Sequence, residues 1–137
     1  MPEYKDCVVF LLAKAYQKAH ATLKKRVSEY GLTPIQVLVL EAIRLEEGVS
    51  AGEVGRRVLL DSATLSGVLD RLAERQWIVK ETDSQDKRSL RIYLGEKAKE
   101  SIHDIGRARE QANKDLLKGF SMEEKVLFKR LLRDMQL

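Results

Sequence analysis

The chain almost lacks cysteine: Cys7 is the single thiol in 137 residues. One thiol cannot build an internal disulfide framework or a multi-cysteine zinc site, and His20 and His103 lie far apart, so no structural metal is expected. Long apolar runs are also missing. None approaches the roughly 18 to 20 residues that span a bilayer. Glu3 and Asp6 stand where a secretory leader carries positive charge, so the expectation is a cytoplasmic protein with no membrane partner. The sequence has no glycine-rich phosphate loop, nucleophile elbow or paired-carboxylate arrangement, which argues against an enzyme and leaves no cofactor to expect. A strong excess of one charge is absent too. The net charge is +4, and residues 50 to 94 hold eight Lys or Arg against seven Asp or Glu. Bulk charge therefore cannot carry nucleic-acid binding here; the direction of individual side chains must.

What is present is helix. A content of 44% hydrophobic and 34% charged residues is too apolar for a disordered chain and richer in charge than one compact core requires, as long solvated helices would be. From Tyr4 to Tyr30 the residues Val8, Leu11, Leu12, Ala15, Ala19, Leu23 and Val27 keep one helical face apolar, and Gly31 ends the run. Thr33 and Gln36 then form a capping box with Pro34 at the first helical position, opening a second helix that is apolar almost all round. Ser50 and Glu53 predict another capping box and a helix of about two turns. Asp61 or Ser62 caps the next, whose Leu65, Val68, Leu69 and Leu72 follow helical spacing. Two short helices joined by a tight turn make a helix-turn-helix.

The period then changes. Trp77-Ile78-Val79 favours a strand, and Leu90, Ile92 and Leu94 alternate with Arg91 and Tyr93, so a β-hairpin is predicted with Asp83 to Ser89 as its charged tip. Residues 96 to 118 carry a thin helical stripe, and Ser121 with Glu124 caps a last helix bearing Leu127, Leu131 and Met135. The fold class expected is mainly α with a small β-hairpin wing (α+β). Residues 33 to 94 would form a winged helix-turn-helix lobe, and residues 1 to 31 with 96 to 137 a helical dimerisation lobe. Modest stripes bury little within one subunit, so a second copy is the economical partner.

With Leu65 pointing inward, Ala63, Thr64, Ser66, Gly67, Asp70, Arg71 and Glu74 fall on the outer side of the fourth helix. Small uncharged residues suit a major groove, where hydroxyls meet base edges or phosphates; Ser62, Thr64, Ser66 and Arg71 are the candidate readers. The alternative is that Ser and Thr gather there only to begin a helix. Gly67 costs roughly 1 kcal/mol in mid-helix, either for close approach of a DNA backbone or merely tolerated. At the hairpin tip, Lys87 and Arg88 stand beside Asp83 and Asp86; an arginine there matches a narrow minor groove, and Asp86 could hold its guanidinium. Lys24-Lys25-Arg26 reads as a solvated face at a helix C-terminus, Trp77 as a packing residue, and His20 with His103 as a weak candidate pair.

The run Leu60-Asp61-Ser62-Ala63-Thr64-Leu65-Ser66, then Leu69-Asp70-Arg71-Leu72, then Asp83-x-x-Asp86-Lys87-Arg88-Ser89 before an alternating strand, resembles the recognition helix and wing of MarR-family regulators. The resemblance implies one domain over 1 to 137 and a ligand-responsive homodimeric repressor of a pseudo-palindromic operator in double-stranded DNA. It implies Arg88 in the minor groove, Asp86 as its orienting acid, and the face from Ser62 through Ala63 and Gly67 to Arg71 in the major groove. It further implies a dimer of the first and last helices and a crevice for a small-molecule effector, a phenolic or other aromatic acid. The Leu-Asp-Ser-x-Thr-Leu segment is similar to the organic-peroxide-sensing branch, which makes Cys7 a redox candidate. Aligned on Gly31-Leu32-Thr33, however, that branch's reactive cysteine falls at Val9 and its partner tyrosines at Leu23 and Pro34. The alternatives to a ligand-responsive repressor are a redox repressor acting through Cys7 and a winged-helix protein-interaction module.

Overall fold

A computed structural model of the chain describes residues 3 to 136. Its elements run α1 (Val8–Val27), α2 (Pro34–Leu45), β1 (Val49–Ser50), α3 (Ala51–Val58), α4 (Ser62–Glu74), β2 (Ile78–Thr82), β3 (Leu90–Leu94), α5 (Glu96–Leu117) and α6 (Met122–Asp134), with single 3₁₀ turns at Tyr4–Asp6 and Ser28–Tyr30. The expected mainly helical fold with a hairpin wing is the one observed. The residues divide into two compact units, one spanning Val27–Arg107 and one made of the two ends of the chain.

The Val27–Arg107 unit closes its own core. Helix α2 is opened by the capping box read from sequence: Thr33 Oγ1 accepts from Gln36 N at 3.2 Å, and Gln36 Oε1 accepts from Thr33 N at 3.0 Å. Its apolar girth is buried, with Val37, Val39, Leu40 and Ile43 sealed from solvent. Packed with it are the inner stripe of α4 (Leu65, Val68, Leu69, Leu72) and Trp77, Ile78 and Ile92 from the sheet. Burying a side chain of this size contributes about 1.5–3 kcal/mol, which is why these helices hold a fixed face outward. Trp77 is buried at the hairpin entrance with the Lys97 ammonium 4.5 Å above its ring, a packing role as expected.

Two sequence expectations need correction. The box at Ser50 forms only half: Ser50 Oγ accepts from Glu53 N at 3.2 Å, but the Glu53 carboxylate turns to Arg56 at 2.6 Å and Arg57 at 3.5 Å. The Arg56 hydrogen bond is the main reason its carboxyl lies below the usual range. Charged partners one turn along outcompete the backbone N–H of Ser50. The sheet also has a third strand, in the order β1-β3-β2, because Val49 pairs with Ile92 and Ser50 with Arg91, antiparallel. Two residues carry no alternation to read.

The terminal unit has a different character. Among its described residues Ala112 and Leu117 are buried, whereas α6 buries no side chain. Arg26 of α1 pairs with Asp115 of α5, so this cation is engaged rather than merely solvated. Large apolar residues stay exposed along α1 (Val8, Leu11, Tyr16) and α6 (Val126, Leu127, Leu131). No helix among the described residues is long and apolar enough to cross a membrane.

Candidate nucleic-acid interface

Helix α4 begins where Asp61 caps it, accepting from Thr64 N at 2.8 Å and from the Thr64 hydroxyl at 2.9 Å. These bonds, the backbone one first, hold the Asp61 carboxyl below its ordinary range. The preceding turn contains no glycine. Leu59 closes α3 in the left-handed region at φ 56°, a conformation disfavoured for a side chain with a Cβ.

Because the inner stripe of α4 is locked in the core, the outer side is fixed by helical geometry. Ser62, Ala63, Thr64, Ser66 and Arg71 are all exposed and Gly67 is half-buried. A Cβ added at Gly67 would meet only the Arg71 guanidinium, at 3.8 Å, so no protein atom demands glycine at that position. Ser62 and Ser66 also line a cleft of about 160 Å³ shared with the start of α3 and the hairpin. Asp70 departs from the readers: its carboxylate takes Lys80 Nζ of β2 at 2.7 Å. That ion pair tethers the helix to the hairpin, and sequence reading missed it because ten residues and a change of secondary structure separate the partners.

In the hairpin, register pairs Ile78 with Leu94 and Thr82 with Leu90. The tip is organised by its aspartates. Asp83 Oδ1 accepts from Gln85 N at 2.8 Å, and Asp86 Oδ1 accepts from Arg88 N at 3.0 Å. Such side-chain turns fold a loop without glycine. Asp86 also lies 3.5 Å from Arg88 Nε, while the Arg88 side chain remains 94% exposed. Lys87 beside it is exposed too. The structure thus gathers the sequence candidates into two surfaces of one unit: a small polar helix face and a charged tip from which Arg88 extends into solvent.

A third surface belongs to the terminal unit. Residues of α1, α5 and α6 enclose a cleft of about 1020 Å³ whose lining includes Leu11, Leu12, Leu116, Phe120 and Phe128, with lysines 14, 18 and 129 among the rest. Cys7 is an exposed, free thiol between the first 3₁₀ turn and α1. At the positions where the peroxide-sensing branch keeps its reactive groups, Val9 is exposed, Leu23 half-buried and Pro34 buried.

Residues 30–89 match the family model described as MarR family. The regulator SarZ of Staphylococcus epidermidis is 38% identical over 74 residues, which is 54% of this chain and 50% of SarZ. The chain thus spans about half the length of the curated relatives it matches. Solved structures extend the likeness. BpsR of Bordetella bronchiseptica, whose DNA binding is regulated by 6-hydroxynicotinic acid, superposes with a TM-score of 0.93 at 27% identity, covering 99% of this chain and 97% of its own. PcaV of Streptomyces coelicolor, a transcriptional regulator solved with its natural ligand, gives 0.92 at 26% identity, covering 99% and 96%. The family model spans residues 30–89, from the turn before α2 to the end of the hairpin tip, and the folds of BpsR and PcaV extend the likeness over nearly the full length, so the chain is similar to the MarR family.

Proposed function

We propose that this chain is a sequence-specific DNA-binding transcription regulator, a homodimeric repressor of a pseudo-palindromic operator whose affinity is set by a small aromatic acid. The observation that carries this reading is the pairing of an outward α4 face free of bulky apolar side chains with a wing arginine 94% exposed. A face of Ser62, Thr64 and Ser66 offers hydrogen-bonding groups at base-edge scale, and Arg71 adds a phosphate or guanine partner. Arg88 supplies the cation for a narrowed minor groove, steadied by Asp86. A protein-binding helix would instead present large apolar anchors, and this face has none.

The second copy is supported by the terminal unit. Its cleft of about 1020 Å³ and the exposed Leu127 and Leu131 are apolar surface of the kind that marks an association site. A two-fold dimer would place paired α4 helices in successive major grooves about 34–36 Å apart. An effector that binds one dimer geometry better than the other then shifts operator affinity by its differential free energy. The aromatic-acid class rests on the likeness to BpsR. Redox control through Cys7 is the weaker reading, since Val9, Leu23 and Pro34 replace the groups that would react and respond.

Titration of the protein against duplexes selected from a random pool, at several salt concentrations, tests the proposal. Tight binding to a two-fold related sequence is expected. Arg88→Ala should weaken binding by about tenfold or more and lower the salt slope by about one. Unchanged affinity and slope in that variant would sink the wing assignment.

A further inference from the structure

Strand β3 carries an arginine, Arg91, that lies outside both the α4 face and the exposed end of the tip. Arg91 Nε donates to Asp83 Oδ2 at 2.9 Å, and its Nη1 donates to the carbonyl of Gly48 at 3.2 Å. Gly48 belongs to the turn between α2 and β1, which is fixed from three sides. Glu46 pairs with Arg57 of α3, Glu47 Oε1 accepts from Leu94 N at 2.8 Å, and Gly48 N donates to Ile92 O at 2.8 Å. On the opposite side of Arg91, Asp83 holds the tip twice over. Its side chain accepts from Gln85 N, and its backbone N donates to Ser89 O at 2.9 Å. Ser89 N in turn donates to Asp86 O at 2.9 Å, and Asp86 holds Arg88. A continuous polar relay thus runs from the α2–β1 turn through Arg91 and Asp83 to the residue at the wing tip.

We propose that Arg91 is a positioning residue for DNA recognition: it clamps the base of the wing to the turn after α2, so that Arg88 is presented at a set place relative to α4. The inference rests on the DNA-binding reading of the wing. One guanidinium thus bridges the first residue of the tip, Asp83, and the turn after α2, at Gly48. A bidentate fork fixes direction as well as distance, which an ammonium cannot reproduce. Arg91 therefore acts through Arg88 and need not touch DNA.

A double-mutant cycle on the full chain is the test, using a duplex recovered from a random pool with the unaltered protein. Arg91→Ala is expected to weaken binding about tenfold, whereas in an Arg88→Ala background it should cost less than about twofold. Arg91→Lys should fall between, because it keeps the charge and loses the fork. An arm without DNA accompanies it: in Arg91→Ala the backbone order parameters of Gln85 and Arg88 should drop, with those of α4 unchanged. Equal losses in both backgrounds, together with a salt slope lower by about one, would mean that Arg91 contacts phosphate itself and would overturn the clamp. Unchanged order at the tip would overturn it as well, whatever the DNA result. If no duplex is recovered and the tip does loosen, the DNA reading has failed while the clamp within the wing stands.

Discussion

The two units of this chain use the same helical period for opposite ends. In Val27–Arg107 the core is sealed, with Leu40, Leu72 and Ile92 each 0% exposed; Leu45 and Leu59 stand out at the ends of helices, and the outward positions in the first half of α4 are small and polar. In the terminal helices the apolar residues are the ones left out, as Tyr16 and Val126, each 61% exposed, illustrate. Unsatisfied polar groups on a rigid frame are available to recognise; unsatisfied apolar area asks to be covered. On the proposed function, the contrast separates a region that reads from a region that associates.

Truncating the sealed core should give the largest effect. Leu72→Ala removes a fully buried side chain and should cost about 2–5 kcal/mol, measured by denaturant unfolding. A loss below about 1 kcal/mol would contradict a closed core. Next comes the open region. Leu131→Glu should leave the fold intact, convert the protein to monomer by sedimentation, and reduce duplex affinity by about a hundredfold through lost bivalency. A dimer that survives this charge would mean that α6 is not the associating surface.

A smaller effect of opposite sign is expected at Leu59. Its left-handed φ of 56° closes α3 in the helix-turn-helix, so Leu59→Gly should raise stability by about 1 kcal/mol, read as a higher Tm. The smallest effect concerns pH. The folded Asp61 carboxyl lies below its unfolded value near 3.9, so its contribution is complete above that value and is lost as pH falls through the folded one. The Tm gap between the native chain and Asp61→Ala should therefore hold at about pH 6 and close below about pH 4. A gap that persists in acid would show that the cap does not depend on charge.

What could be read from the sequence was whatever a few consecutive residues decide. The boxes at Thr33 and Ser121, the cap at Asp61 and the outward face of α4 follow from spacings of three and four residues. Ser50 with Glu53 obeyed the same spacing and still failed, because Arg56 and Arg57 compete for the carboxylate from the next turn. Strand β1 was illegible since its existence depends on Ile92, 43 residues away. The pair Asp70–Lys80 and the fork of Arg91 depend likewise on where a helix and a strand meet, and each looked only like a charged residue on a solvated position. In the candidate site, then, the exposed groups were visible in the sequence, and the ion pairs behind them were not.

The cap on α4 also sets the polarity of the Thr64 hydroxyl. The only hydroxyl proton of Thr64 is committed to Asp61, which leaves lone pairs facing outward. In a major groove such an oxygen accepts from the amino groups of adenine or cytosine and is repelled by the acceptor edge of guanine and by thymine O4. On the proposed DNA-binding reading of α4, a local fold signal thereby becomes a bias in the alphabet of the binding site. Thr64→Ser should preserve that bias in a selected pool, and Asp61→Ala, by freeing the proton, should relax it.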